Sequence, residues 1–343
     1  MKQRVVAVDL AKSVFEVAIS DRPGHVQERR RLSRGRLMPF FAEQPRATVV
    51  MEACSSAHHW ARRLGEEGHE VVLLPPHEIR PYVTRNKTDR TDAKGILEAF
   101  RNTKIRPVPV KTVDQQSLAS LHRMRSTWLG TRTARINTVR GLLREIGIAI
   151  PLGARHVVPR VSALLEDAES GIPDILRPIL AEALEEIRGL ERRMKLCERS
   201  LASVAEAMPI VGRLCTVPGV GLLTATALVA FVGDVRRFPS GRHFASYLGL
   251  TPRERSSGFT RWLGSITKHG NSYLRMLLIH GGRSVLWSAN RTKSPDSLRL
   301  WGRQVAGTRG HNRACVALAN KLARIVWAIW IEDRDFQVRR EAA

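Results

Sequence analysis

The chain has 343 residues, a formal net charge of +24 at pH 7 and a sequence pI near 11.2. Its 43% apolar and 26% charged residues describe a globular protein with room for two or three cored domains. The basic excess concerns partners: nucleic acid is the polyanion that fits, and an anionic membrane surface is the rival. No apolar run reads as long enough to span a bilayer, and no signal-peptide layout opens the sequence. Cys54, Cys197, Cys215 and Cys315 are scattered without C-x-x-C spacing, so neither a disulfide framework nor a zinc site is indicated. The expectation is a cytoplasmic, nucleoid-associated protein.

In chain order, Arg4–Asp9 reads as a buried strand that ends in a carboxylate, followed by a second strand at Phe15–Ser20 and a third near Val26–Leu32. A helix is expected near Leu37–Glu43. Ala47–Glu52 is another buried strand closing on an acid, and Ser55 or Ser56 can cap the helix carrying His58, His59 and Trp60. These two histidines read as packing or surface groups. Val71–Leu74 is the next strand. Strands first, then alternating helix and strand, predict a mixed α/β domain over roughly the first hundred residues.

Asn86–Lys94 opens a further helix with Asp89 and Asp92 three residues apart, and so on one face. From Val113 the pattern turns to long helices. Leu118, Leu121, Ile136, Val139 and Leu143 mark one. Past a Pro- and Gly-punctuated linker (Pro151 to Pro178), Leu180, Leu184, Ile187, Leu190 and Leu201 mark a cleaner second, predicting an antiparallel coiled-coil hairpin, within one chain or across a dimer. The arms differ in sign: residues 101–150 hold ten Lys/Arg and two acids, whereas the second helix is rich in Glu.

The remainder reads as mainly helical. Val217-Pro218-Gly219-Val220-Gly221 before the apolar helix Leu222–Val232 resembles a helix-hairpin-helix turn, whose glycines let backbone N–H groups approach a phosphate; a plain tight turn is the rival. Residues 236–324 hold seventeen Lys/Arg and two acids, a density that phosphates would neutralise. Ala317–Trp327 reads as an amphipathic helix. The expected domains are 1–107 (α/β), 108–208 (coiled coil and linker) and 209–343 (C-terminal).

Asp9, Glu52, Asp89 and Asp92 close apolar strands or open a helix, and a strand with buried neighbours has little reason to end in an unpaired carboxylate. Gathered at one sheet edge, the four would make a hard-oxygen site for two Mg²⁺ ions suited to phosphodiester chemistry. Taken singly, Asp9 and Glu52 read more simply as partners of arginines, and Asp89 and Asp92 as acids that complement a helix dipole in its first turn.

The order D…E…DxxD, carried by Val8-Asp9-Leu10-Ala11-Lys12, Met51-Glu52-Ala53 and Asn86–Ala93, resembles the DEDD transposases of the IS-one-ten/IS-eleven-eleven insertion-sequence family. So do Pro218–Gly221, Ala245–Arg253, Ser256-Ser257-Gly258 and Ile266–Asn271 leading into Tyr273-Leu-Arg275. The resemblance implies a ribonuclease-H-like, RuvC-like N-terminal domain holding Mg²⁺ and a C-terminal transposase domain with a nucleophilic serine before a glycine. That position is Ser257, with Ser256 its near neighbour. It also implies a bridge-type guide RNA, donor and target DNA, a homo-oligomer growing from dimer to tetramer, and no membrane. Arg253, Arg255, Arg261, Lys268 and Arg275 crowd the serine and could grip its phosphate. A junction nuclease using the same acids with water as nucleophile, and a non-catalytic nucleic-acid scaffold, are the alternatives.

Overall fold

The computed structural model describes residues 4–22, 25–83 and 89–337, with the side chains of 89–91 outside the description. The chain divides into two compact units, Met1–Thr112 and Val113–Ala343.

The first unit is built on strands β1 (Val5–Leu10), β2 (Val14–Ser20), β3 (Glu28–Ser33), β4 (Thr48–Glu52) and β5 (Glu70–Leu74), in spatial order β3-β2-β1-β4-β5. β1, β2 and β3 pair antiparallel, while β4 lies parallel to both β1 and β5. The parallel centre explains the near-continuous apolar runs of β1 and β4, since helices cover both faces. Helices α1 (Leu37–Ala42) and α2 (Ala57–Glu66) cover one face, where Val6, Val8, Val49 and Met51 meet Leu37, Phe41, Trp60 and Leu64. Trp60 packs edge-on to Phe15, with ring centroids 5.5 Å apart. On the other face Ala7, Ala18, Val50 and Leu74 meet helices α3 (Pro76–Ile79) and α4 (Asp89–Phe100) through Ile79, Ala93, Ile96 and Leu97. The outer strand β3 exposes Arg29, Arg30 and Arg31, and charge on such an edge discourages pairing with another chain. His58 packs here too: its Nδ1 accepts the Lys111 N–H at 3.2 Å.

In the second unit, helix α5 (Val113–Glu145) is 33 residues long, about 50 Å at the usual helical rise. It is followed by α6 (Val157–Glu166) and α7 (Arg177–Glu206). Ion pairs Arg125–Glu198, Arg132–Glu191 and Arg135–Glu186 run in opposite residue order along α5 and α7, so the two helices are antiparallel within one chain. The opposite charges of the arms therefore neutralise each other. The linker is not wholly irregular: α6 packs Val157, Val161 and Leu164 against Ile136, Val139, Leu143, Leu184 and Ile187 at the far end of the pair.

The rest comprises α8 (Pro209–Cys215), α9 (Leu222–Val232), α10 (Gly241–Tyr247), a two-stranded hairpin of β6 (Pro252–Glu254) and β7 (Leu263–Ile266), α11 (Ser272–Ala289), α12 (Ser297–Arg309) and α13 (His311–Glu332). Asn271 caps α11, its Oδ1 accepting from the N–H groups of Tyr273 and Leu274. Helix α13 is long and apolar enough to cross a membrane by composition, against the sequence expectation of no such run. Its apolarity has a plain cause: Leu318, Leu322, Ala323, Val326 and Ile329 are buried in the core of this unit.

Two packing features carry specific consequences. Val217–Val220 is a type II turn, with the Val220 N–H bonded to the Val217 carbonyl at 2.9 Å and Gly219 at φ +80°. A Cβ on Gly219 would lie 2.5 Å from the Gly281 carbonyl oxygen, so the glycine is demanded by the approach of α11. The second feature is a buried polar chain. Thr226 spends its hydroxyl hydrogen on the Leu222 carbonyl at 2.7 Å, so it must accept from His122 Nε2 at 3.0 Å. His122 Nδ1 is then the acceptor for the Tyr273 hydroxyl at 3.0 Å. This chain ties α5, α9 and α11 at the root of the helical pair, and it fixes the neutral imidazole tautomer.

Gly219→Ala should therefore cost about 2 kcal/mol or more of stability, against less than about 1 kcal/mol for Gly221→Ala, where a Cβ meets open space; chemical denaturation checks the ranking. Burial, then the charge of Arg125, lowers His122 from 6.5 to about 4. The unfolded chain takes up this proton first, so stability is full above pH 6.5 and falls as pH drops toward 4. The loss is about 2–3 kcal/mol by linkage. Burial lowers His58 of the first unit to about 4 as well, so melting curves should show a slope from both groups, and His122→Asn should remove about half of it.

Candidate functional site

The acids at the edge of the sheet are placed by strand alternation. Odd-numbered Val5 and Ala7 of β1 and even-numbered Val50 of β4 face α4, whereas Val6, Val8, Val49 and Met51 face the other side. Successive side chains alternate, so Asp9 and Glu52 continue the α4-facing rows. Val8 pairs with Met51, which sets the two acids side by side at the carboxyl ends of parallel strands. Both are partly buried, and neither is without a partner.

Helix α4 lies over the same face and brings Asp92, whose Oδ1 is shielded from solvent with no hydrogen-bond partner among the described residues. Leaving an acceptor so placed costs on the order of 1–3 kcal/mol. A cation would satisfy it. Asp89 lies one turn earlier on α4, but its side chain, like all of Asn86, Lys87 and Thr88, is outside the described residues. Among the described residues no three His, Cys, Asp or Glu side chains stand close enough to hold a metal ion. The donor chemistry is nevertheless that of a hard divalent cation: carboxylates, with no thiolate or imidazole among them.

Glu16 joins this face without having been singled out from the sequence. It is the direct partner of Asp9 across the β1–β2 pair, is mostly buried, and meets Arg31 at 3.3 Å. Its signal was the alternation Phe15-Glu16-Val17, which shows that Glu16 leaves the apolar face but not that it arrives beside Asp9.

In the second unit Ser257 sits at the tip of the β6–β7 hairpin. Glu254 pairs with Leu263, the Arg255 N–H bonds the Trp262 carbonyl at 3.0 Å, and Ser257 and Thr260 exchange both backbone bonds at 3.1 Å. Gly258 and Phe259 are left as a two-residue loop. Gly258 has φ +56°, and among the described non-glycine residues only Lys268 and Asp333 have positive φ. A positive first and negative second central residue is the signature of a type II′ turn, which suits the twist of paired strands.

That register sorts the two serines. Glu254, Ser256 and Arg261 share one face: the Ser256 hydroxyl donates to Glu254 Oε1 at 2.8 Å, and Arg261 Nε donates to the same oxygen at 3.1 Å. The Ser256 bond, then the charge of Arg261, holds the Glu254 carboxyl below its ordinary range. Ser257 lies on the opposite face with Arg255, Thr260 and Trp262, and its hydroxyl has no hydrogen-bond partner among the described residues. The Arg255 guanidinium stands 5.7 Å from the centre of the Trp262 ring. Ser257 thus lies on a cationic face, exposed.

The other expected phosphate ligands differ in availability. Arg253 is exposed and reaches the Thr267 carbonyl at 3.3 Å, while Lys268 is exposed in a left-handed backbone conformation at φ +59°. Arg275 is half-buried, its Nη1 bonded to the Leu248 and His269 carbonyls at 3.2 and 2.9 Å, so it braces the base of the hairpin. Gly219 faces α11, and Gly221 is exposed at the N-terminus of α9. Beside the hairpin an open groove of about 1080 Å³ is lined by Leu263, Ile266, Trp301, Arg309, Arg313 and Lys321. Lys321 lies 4.3 Å from the centre of the Trp301 ring, and burial, then Arg324, pushes its ammonium below the ordinary range. A groove lined by cations and an aromatic ring suits a nucleic-acid strand.

Comparison with known proteins agrees with this chemistry. A family model described as "Transposase IS116/IS110/IS902 family" matches residues 211–296, and the DEDD transposase model of the IS110 type matches residues 6–148. The chain is 42% identical to the "probable family 20 transposase" of Pseudomonas aeruginosa, over 94% of this chain and 96% of that protein. It is 38% identical to the transposase for insertion sequence element IS1111A of Coxiella burnetii, over 97% of this chain and 91% of the other. With the transposase for element IS1328 of Yersinia enterocolitica the identity is 34%, over 97% and 98%. The chain belongs to the IS110 family of insertion-sequence transposases, enzymes that cleave DNA and transfer its strands.

Proposed function

We propose that this transposase cuts and rejoins DNA through a covalent phosphoserine link at Ser257. The observation that carries the reading is the sorting of the hairpin serines: Ser256 is committed to an acidic neighbour that repels phosphate, while Ser257 stands free on the face of Arg255. In the reaction Ser257 Oγ gives up its proton and bonds to phosphorus, and the P–O3′ bond breaks, leaving a free 3′-hydroxyl. A 3′-hydroxyl of another strand reverses the step by bonding to phosphorus and releasing Oγ. The phosphoester conserves the bond energy, so strand exchange needs no nucleotide cofactor. Arg255 and Arg253 neutralise the phosphate as Oγ approaches, a task that suits the planar fork of arginine.

The N-terminal unit would be a ribonuclease-H-like, RuvC-like domain whose Asp9, Glu52, Asp89 and Asp92 hold Mg²⁺, two ions in the full site. The orphaned Oδ1 of Asp92 supports that reading. When bound, the metal would supply charge neutralisation at the scissile phosphate. The acting assembly would be a dimer that grows to a tetramer. Target choice would rest on base pairing with a structured bridge-type RNA, leaving the protein to read backbone and shape.

Incubated with element-end DNA, target DNA, RNA from the element's flanks and Mg²⁺, the wild-type chain should form a protein–DNA adduct that survives denaturation. Ser257→Ala should lower the adduct by on the order of a thousandfold, with Ser256→Ala staying within about tenfold of wild type. Cleavage by Ser257→Ala at the wild-type rate would instead favour the junction nuclease with water as nucleophile. Asp92→Asn should abolish cleavage and, by removing charge from its buried site, leave thermal stability equal or higher in metal-free buffer. A melting scan with and without Mg²⁺ checks this, since only the wild type should gain from the ion.

A further inference from the structure

We propose that Phe259 is a wedge that enters the base stack of the DNA beside the phosphate addressed by Ser257. The inference rests on the Ser257 reading and extends it from chemistry to the handling of the duplex.

Phe259 is fully exposed, at 111% of the reference for its type, and forms the outermost point of the hairpin. The turn does not require it. A type II′ turn needs glycine at its first central position, which Gly258 supplies, whereas the second position is ordinarily filled by small polar residues such as Asn, Ser or Asp. Nor does the fold require it, since Phe259 belongs to none of the apolar clusters of its unit. Nor is the ring isolated, since Trp262 and Leu263 are exposed beside it on the same short hairpin, and exposed apolar groups gathered in this way mark an interaction site.

Its surroundings name the occupant. Within six residues on either side stand Arg253, Arg255 and Arg261, all exposed, and Glu254, the one acid among them, lies with its partner Arg261 on the face opposite Arg255 and Ser257. An aromatic tip on a two-stranded cationic ribbon is complementary to duplex DNA, whose grooves admit such a ribbon and whose phosphates take the arginines. Once the arginines fix the ribbon on the backbone, the ring is left facing the stacked bases. Apolar side chains inserted there unstack a base step and kink the duplex. Trp262, 53% exposed on the face of Ser257, offers a second ring for a displaced base.

The wedge has a chemical purpose. A phosphate in a regular duplex is held in register by stacking on both sides, and opening one step lets it turn toward Oγ. It also frees bases for pairing with another strand. Since Phe259 and Ser257 flank Gly258 in one hydrogen-bonded turn, the opened step and the attacked phosphate are set side by side.

The test uses the full chain, RNA from the element's flanks and element-end duplex carrying 2-aminopurine next to the cleavage site, a base that fluoresces when unstacked. In a Ser257→Ala background, which stops chemistry, binding should raise the fluorescence. Phe259→Ala should remove most of that rise, and Phe259→Trp should keep it. With Ser257 intact, Phe259→Ala should form at least tenfold less covalent adduct on fully paired DNA, and recover on a duplex mismatched at that step. Wild-type fluorescence and adduct formation by Phe259→Ala would overturn the wedge. So would an unchanged reaction accompanied by a change in oligomeric mass, which would make the tip a protein contact. Loss of the serine mechanism reads out separately: the wild type would then form no adduct while the fluorescence difference persisted.

Discussion

In both units the decisive side chains are sorted by the pleat of a β-strand, whose neighbours point to opposite faces. On β1 and β4 that alternation buries Val6, Val8, Val49 and Met51 on one side and turns Asp9 and Glu52 toward α4 on the other. On the C-terminal hairpin it separates Ser256, tied to Glu254, from Ser257, which lies with Arg255. A slip of one residue in either register would invert the site. The type II′ turn at Gly258–Phe259 pins the hairpin register, and helices packed on both faces pin the sheet.

The excess positive charge is distributed with the same economy. Arginines of α5 find glutamates on α7, and each such pair is worth at most about 1 kcal/mol where partly exposed, so the helical pair holds together chiefly by its apolar seam. Arginines and lysines around the hairpin and the groove beside it have few acids to meet. Glu254 and Asp296 are the two between residues 236 and 324, and both are already held by arginine. The surface that carries Ser257 is thereby left cationic, as the proposed attack on phosphate requires.

Much of this was legible in the sequence wherever a period was long or a run strongly apolar. β1, β4 and β5 lie within a residue of their expected places, and α9 spans the expected Leu222–Val232. α6 was hidden by the prolines and glycines between Pro151 and Pro178, although Pro159 falls in its first turn, where a missing N–H costs nothing. The hairpin escaped because its strands are three and four residues long and its Gly-Phe turn lacks the familiar Asn-Gly or Asp-Gly. Neither the partnership of Glu16 with Asp9 nor the His122–Tyr273 bond can be read from local pattern, since each depends on residues brought together by register or tertiary packing. The Ser256/Ser257 choice, carried by family resemblance at the level of sequence, acquires a physical reason only once the register is known.

The identity of the hydroxyl that carries the phosphate is the deciding fact. Denaturing the reaction partway, digesting protein and DNA, and sequencing the hairpin peptide by tandem mass spectrometry would locate the nucleotide remnant directly. The remnant is predicted on Ser257. Its appearance on Ser256, or its absence from both serines while DNA strands are being exchanged, would contradict the account.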